Sequence, residues 1–223
     1  MHVIQNTGTA AESWHDHTAP EDVLKFTSSI TGWPTIIDRV IKTTPRDGII
    51  DWKLLWRDPQ PLWTSPCNRV VQLGDAAHTF IPSSGNGATQ AIEDAVSIAT
   101  CLQIGGKDNV QWAVRVHNKM RFERVSCCQL LGFVNQDSYQ HADWDAVVRN
   151  PEVMKAKYGR WIWSHDVERY SSENYGNVLN HLISGTPFEN TNVPPGYVYR
   201  PWTIDEVEAQ RVRGGIELEG DWS

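Results

Sequence analysis

The chain has 223 residues, and because 40% of them are hydrophobic it has enough apolar material to form a core, which excludes disorder of the chain as a whole. Its 27 acidic and 20 basic residues give a formal net charge of -7 without a long lysine or arginine cluster, so we expect no nucleic-acid partner. No stretch approaches ~18 consecutive apolar residues, and the amino terminus lacks the pattern of a signal peptide. We therefore expect a cytoplasmic protein with no membrane span.

The four cysteines lack the spacing of a zinc site or of a disulfide framework, since no C-x-x-C pair is present and two of them are adjacent. We expect reduced thiols at Cys67, Cys101, Cys127 and Cys128. A further cluster at residues 14–17, Trp-His-Asp-His, groups two imidazoles with a carboxylate, but no third ligand stands at metal spacing. The sequence therefore predicts no metal site, and a solvated loop at this cluster.

Two strands and two helices are predicted in the first 57 residues, the strands over 2–7 and 49–57 and the helices over 19–30 and 36–43. The first helix is indicated by a capping box, Thr18 to Glu21, with a proline in the first helical turn. The second helix is indicated by isoleucine and valine residues at helical spacing, which stop before Pro45.

The middle of the chain predicts a strand followed closely by a helix. Residues 69–73, RVVQL, are β-branched and almost continuously apolar, as in a strand that a parallel sheet covers on both faces. The helix begins near Gly87 and ends at Gly105–Gly106, with alanine, isoleucine and leucine residues along one stripe and polar residues opposite. A longer helix is predicted over 109–133, and the chain beyond Asn150 is mixed. The 11 tryptophans are predicted to fill the core in preference to lining an aromatic pocket.

The junction between this strand and helix has the features of a ligand site. Gly74 and Asp75 lie at the carboxyl end of the predicted strand, where open α/β sheets bind ligands, and an aspartate there can accept hydrogen bonds from sugar hydroxyls. The glycines of residues 83–87 allow a flat ligand to approach backbone N–H groups at the positive end of the helix. For any one of these features a structural reading competes, in which Asp75 caps a turn and the glycines permit it.

The ordered string "LWRDPQPLWTSPCNRVVQLGDAAHTFIPSSGNGATQAIEDAVSIATCL" resembles the second flavin-binding segment of FAD-dependent monooxygenases of the aromatic-hydroxylase type, as found in fungal secondary metabolism. The match lies in GDAAH, the proline four residues later, the glycine pair and the QAIEDA helix. It continues more weakly through residues 121–124 and towards the carboxyl terminus. The resemblance implies FAD as the cofactor and a small hydrophobic or aromatic molecule as the substrate.

The resemblance also implies roles for individual residues. Asp75, beside Gly74, would bind the ribityl or ribose hydroxyls, and Pro82 would lie over the isoalloxazine. His78 would lie close to the flavin phosphates or lock the turn, and both alternatives stay open. The pyrimidine edge of the ring would meet the amino terminus of the helix, at Gly85, Asn86, Gly87 and Ala88, which would stabilise reduced, anionic flavin.

The part of the family that binds the ADP half of FAD has no counterpart in this sequence. Its strand, G-x-G-x-x-G turn and helix are absent, and the nearest pattern, at residues 85–90, lacks the third glycine. We therefore expect no tight FAD binding by this chain alone. The missing strands would leave an edge of residues 69–73 or an apolar face of the following helix exposed, to be covered by a rearranged core, a second copy or a partner chain.

The expected fold class is α/β, or an α+β-like fragment, with an incomplete FAD/NAD(P)-binding fold, part of the substrate-domain sheet and a mostly helical carboxyl-terminal region. The resemblance implies three regions: a partial substrate-domain region at 1–65, the second flavin-binding segment and long helix at 66–150, and a helical or irregular extension at 151–223.

Three functions follow from these expectations. The first is a FAD-dependent monooxygenase that tailors a secondary metabolite, or a truncated member of that family. The second is a flavin-free cyclase, isomerase or dehydratase that evolved from the truncated scaffold and acts by holding a reactive substrate. The third is a non-catalytic half of a split enzyme that needs a partner chain.

Overall fold

The computed structural model describes residues 17–52, 55–140, 142–154, 158–216 and 218–222. The predicted strand at 2–7 and most of the Trp-His-Asp-His cluster lie outside the described residues. The chain divides into two compact units, Met1–Leu55 and Trp56–Ser223. Among the described helices, none is both long and apolar enough to cross a membrane.

The first unit contains the two predicted helices, α1 at Pro20–Thr27 and α2 at Thr35–Thr43. The predicted capping box is wrong, because Pro20 is itself the first helical residue and Ala19, which has no capping side chain, takes the cap position. The predicted strand over 49–57 does not form in the described residues. There Ile50 makes only an isolated antiparallel bridge to His17.

The second unit is built from helices, and its two longest match the sequence prediction in type. In chain order they are α3 at Gly87–Gly105, α4 at Val110–Gln140, α5 at Trp144–Arg149, α6 at Arg160–Trp163, α7 at Val167–Ser184 and α8 at Ile204–Arg213. Helix α3 ends where predicted, at a Gly106 with a positive φ of 67°. Helix α4 runs past its predicted end at Phe133, and residues 124–135 within it are all buried.

Helices α3 and α4 form an antiparallel hairpin. Asp94 pairs with Arg121 near its open end, and Gly105 lies against Ala113 near the connecting turn. Helix α7 runs along α3 in the same direction, since Ser171 contacts Ser97 and Tyr175 approaches Gly105. These three helices enclose a core cluster of Cys101, Ala113, Val116, Met120, Tyr175 and Val178.

A second core cluster lies further along α4, at Cys127, Leu130, Leu131 and Phe133, and confirms that several tryptophans fill the core. Trp222 is buried in it, and three more tryptophans pack against it, namely Trp56, Trp161 and Trp202. Trp52, Trp144 and Trp163 are exposed. The four cysteines are free thiols, as predicted, and both members of the Cys127–Cys128 pair are buried within α4.

The sheet expected around residues 69–73 is not formed in the described part of the chain. Val71 alone pairs, in an isolated antiparallel bridge to Thr64, and Val70 is 64% exposed. A strand of a parallel sheet needs at least one parallel neighbour, and the described residues supply none. The fold-class prediction therefore holds for the helical carboxyl-terminal region. The predicted sheet of an incomplete FAD/NAD(P)-binding fold is not found in the described residues, which are mainly helical.

Candidate functional site

The G-D-A-A-H sequence forms a tight turn pressed against α3. Residues Gly74–Ala76 make one turn of 3-10 helix, and Gly74 has a positive φ of 56°. A Cβ atom at Gly74 would lie 3.1 Å from the Cβ atom of Ala91 on α3, a contact that leaves little room for a side chain. Glycine is required here both for the backbone conformation and for the close approach.

This turn forms one wall of a cleft of about 430 Å³. Asp75 and Ala76 are exposed within it, while Ala77 and His78 are buried. The opposite wall comes from residues 57–62, and Gln129 of α4 closes one side through a hydrogen bond of 2.8 Å from its Nε2 to the carbonyl of Thr79. The lining is polar and carries both charges, from Arg57, Asp58 and Asp75.

The second half of the predicted site lies at the amino terminus of α3. Residues Pro82–Ser84 form another 3-10 turn, Gly85 adopts a φ of 60°, and the first hydrogen bond into the helix runs from Gln90 N–H to the Asn86 carbonyl. The N–H groups of residues 87–89 therefore precede the intrahelical ladder, as at any helix amino terminus. A Cβ atom at Gly85 would lie 2.6 Å from the hydroxyl of Tyr158. Among the described residues, the three atoms nearest to that position all belong to the Tyr158 phenol.

Behind both segments lies a buried network of charged side chains. Asp94 of α3 is fully buried, and its Oδ2 accepts from Gly74 N–H at 3.0 Å and from His78 Nε2 at 2.6 Å. Its Oδ1 accepts from Nε of Arg121 at 2.9 Å. The carboxylate thus holds the two ends of the G-D-A-A-H turn and joins them to α4.

The neighbouring acid, Glu93, extends the network towards the carboxyl-terminal segments. It pairs with Arg121 and with Arg124, whose Nε and Nη2 atoms lie 2.7 and 2.8 Å from the carboxylate. The Arg124 guanidinium also donates to the backbone carbonyls of Trp161, Ile162 and Asn192. Two arginines and two acids therefore balance one another inside the protein, as buried charges must.

The network fixes the ionisation of its acids. Burial alone would raise the pKa of Asp94, but the hydrogen bond from His78 and the charge of Arg121 outweigh it and hold this pKa at about 2. Burial likewise opposes ionisation of Glu93, and the hydrogen bond from Arg124 with the charge of Arg121 lowers its pKa. Both side chains are carboxylates at neutral pH.

Two histidines border the network. His78 is 4% exposed and donates through Nε2 to Asp94, since that oxygen belongs to a carboxylate, while its Nδ1 has no partner in the described structure. His117 of α4 is fully buried with Nδ1 at 3.1 Å from the hydroxyl of Ser97. Desolvation lowers the pKa of His117 to about 3, so this ring is neutral.

The chain is similar to known proteins over nearly all of its length. It is 48% identical over 221 residues to the FAD-dependent monooxygenase fsr3 of Gibberella fujikuroi and 45% identical over 220 residues to the FAD-dependent monooxygenase dmxR9 of Cryptosporiopsis sp.. These matches cover 96% and 97% of this chain but 42% and 43% of the relatives. No protein-family profile matches the sequence.

Solved structures agree with these relatives. The crystal structure of FqzB superposes with a TM-score of 0.71 at 33% identity and covers 82% of this chain and 43% of that protein. The crystal structure of CtdE in complex with FAD and a substrate has a TM-score of 0.67 at 32% identity, with coverage of 81% and 42%. The chain is homologous to part of the FAD-dependent monooxygenases.

The structure divides the site residues predicted for this monooxygenase segment into two groups. Gly74, Asp75 and His78 come together in one turn, from which Asp75 and His78 line the cleft. The remaining five form the turn at the start of α3 outside the cleft lining, with Pro82, Gly85 and Ala88 exposed, Gly87 half-buried and Asn86 buried. Within the described residues, no group of three or more His, Cys, Asp or Glu side chains is placed to hold a metal ion.

The sequence reasoning missed the buried network of the monooxygenase segment. It treated Glu93 and Asp94 as the polar face of α3 without a partner, although a signal was present in Arg121 and Arg124. These two arginines are three residues apart and therefore lie on one face of the next helix, from which they pair with Glu93 and Asp94 across the hairpin. A polar helix face opposite such a pair indicates burial through charge pairing.

Proposed function

We propose that this chain forms the part of a FAD-dependent monooxygenase that contacts the isoalloxazine and ribityl groups, in an enzyme that tailors a small hydrophobic or aromatic secondary metabolite. The observation that carries the proposal is the exposed Asp75 at the cleft, on a turn that α3 holds in place. The names of the relatives support FAD as the cofactor and do not favour the flavin-free alternative. When bound, FAD supplies the redox chemistry that inserts one oxygen atom of O₂ into an organic substrate.

The residues present fit the ring and sugar portions of FAD. Gly74 lets the turn pack closely against Ala91 of α3, and at Gly85 the hydroxyl of Tyr158 occupies the space beside the backbone, so that side chain must move aside for a flat ring to approach this glycine. The Asp75 carboxylate would accept hydrogen bonds from the ribityl hydroxyls, and Pro82 would lie against the ring. The free N–H groups at the start of α3 stabilise negative charge at the pyrimidine edge.

The outer face of α3 is the surface that further FAD-binding polypeptide covers. Ala88, Ile92, Ala95, Ala99 and Leu102 line this face, and Ile92 is 67% exposed. Exposure of an apolar helix face of this kind was expected from the sequence, and it is typical of an interaction surface. More than half the length of the matched relatives lies outside the homologous segment. Polypeptide that corresponds to this remaining part of the relatives is the candidate to cover the face.

A flavin titration tests the proposed function. Quenching of flavin fluorescence by the purified chain is expected to saturate at high micromolar FAD, since the segment for the ADP half is not part of this sequence. Asp75→Ala is expected to weaken binding about 10-fold, the value of a lost hydrogen bond to a charged group. Asp108→Ala, at an exposed residue in the turn before α4, is the control and should bind as the original chain does. Equal affinity of the Asp75→Ala variant would contradict the proposal.

A further inference from the structure

We propose that Asp94 is a positioning residue that sets the conformation of the Gly74–His78 turn, and through it the direction of Asp75. This inference rests on the proposed function, because it assigns Asp75 to the flavin. Asp94 acts on Asp75 indirectly, through the backbone of the turn. Asp94 is fully buried on α3 and touches the turn only from behind.

The hydrogen bonds of Asp94 join two residues that are four positions apart in the chain. Its Oδ2 accepts from the backbone of Gly74 at 3.0 Å and from the ring of His78 at 2.6 Å, which are the first and last residues of the turn. Asp75 and Ala76 stand between these two anchors and are exposed at the cleft. The anchors therefore define the direction in which Asp75 leaves the turn.

Asp94 itself has little freedom to move. Its Oδ1 accepts from Nε of Arg121 at 2.9 Å, and the same guanidinium donates to the carbonyl and to the side-chain oxygen of Gln90. A side chain whose two oxygens are both bonded to fixed donors has one orientation available. Support of this kind is what holds a binding group within the narrow limits that its ligand requires.

A purely structural role for Asp94 makes a different prediction. Removing this charge leaves Arg121 buried with less compensation, which destabilises the fold whether or not the turn matters. Removing both charges restores the balance, because Glu93 and Arg124 still neutralise each other. The single and double variants therefore separate charge balance from positioning.

The test compares Asp94→Asn, the double variant Asp94→Asn/Arg121→Gln and a control, Ser97→Ala, on the same buried face of α3. Each is measured for melting temperature, for FAD affinity and for hydrogen exchange of the Gly74 amide. We expect the double variant to recover melting temperature relative to Asp94→Asn, while FAD affinity stays weaker by up to about 10-fold, the loss expected for Asp75→Ala, and the Gly74 amide exchanges faster. The control should keep the FAD affinity of the original chain.

The outcomes distinguish failure of this inference from failure of the proposed function. The positioning role would be overturned if the double variant recovered FAD affinity together with melting temperature. It would also be overturned if the Gly74 amide stayed protected from exchange when Asp94 is replaced. If the original chain binds no flavin, the proposed function fails, and the exchange rate of the Gly74 amide still reports whether Asp94 holds the turn. Unchanged FAD affinity of Asp94→Asn would also overturn the inference.

Discussion

Buried polar residues determine how the Gly74–His78 turn is held. Asp94 and Glu93 are carboxylates inside the protein because two arginines of α4 face them and because His78 and a backbone amide add hydrogen bonds. Loss of one member of such a pair is strongly destabilising, by roughly 3–5 kcal/mol, since its partner stays buried without compensation. The stability of the fold thus depends on keeping the buried charges balanced as much as on any single residue.

Two histidines, the buried His117 and the half-buried His165, make the fold sensitive to acid. The pKa of His117 is lowered to about 3 and that of His165 to about 4, in both cases chiefly by desolvation, while an unfolded chain protonates its histidines near 6.5. Around His117, Asp94 raises the pKa, and Arg121 and His78 lower it. Between these values the unfolded state binds more protons than the folded state, so stability falls as pH falls from about 6.5.

We expect the free energy of unfolding to drop by about 1 kcal/mol per pH unit for His117 in this range. Urea denaturation at pH 7.5, 6.0 and 4.5 measures the drop. His117→Asn should show a shallower decline than the original chain below pH 6.5, and the two curves should run parallel above pH 7. Parallel curves over the whole range would show that His117 does not contribute.

At the scale of elements, the sequence predicts helices better than strands. Helix α3 was predicted with both of its ends because its hydrogen bonds are local and its limits are marked by Gly87 and by Gly105–Gly106. Residues 69–73 have the composition of a strand but pair only at Val71, since a strand depends on neighbours that lie far away in sequence. Periodicity also could not predict which face of α3 is buried, because it cannot distinguish a buried polar face from a solvated one.

Helix α3 buries its polar face and exposes its apolar face, an arrangement that predicts self-association of the isolated chain. Ile92, at 67% exposure, is central to its apolar outer face, and burying that face in a second copy removes it from water. We expect Ile92→Lys to lower the fraction of oligomer in sedimentation velocity without changing the melting temperature. Ile183→Lys, at a residue of similar exposure (61%) on α7, is the matched control. Equal oligomer fractions in the two variants would contradict an interface at α3.

At the scale of the whole second unit, α4 connects the candidate site to the carboxyl-terminal segments. Arg121 reaches the Gly74–His78 turn through Asp94, while Arg124 donates to carbonyls of residues 161, 162 and 192. The turn, the hairpin and the later segments are thus joined by one charged network. The sequence resemblance predicts that the Gly74–His78 turn faces the flavin, and the fold shows that the network behind this turn extends to residues as distant as Asn192.

The central claim is that flavin binds across the Gly74–His78 turn and the amino terminus of α3. Amide chemical shifts of the isotope-labelled chain, followed during titration with FAD, test this most directly. The account predicts the largest shifts at Gly74, Asp75, Ala76 and at residues 85–88, with amides of α7 and α8 unchanged. Saturable FAD binding whose shifts fall elsewhere, and leave residues 74–76 and 85–88 unperturbed, would contradict it.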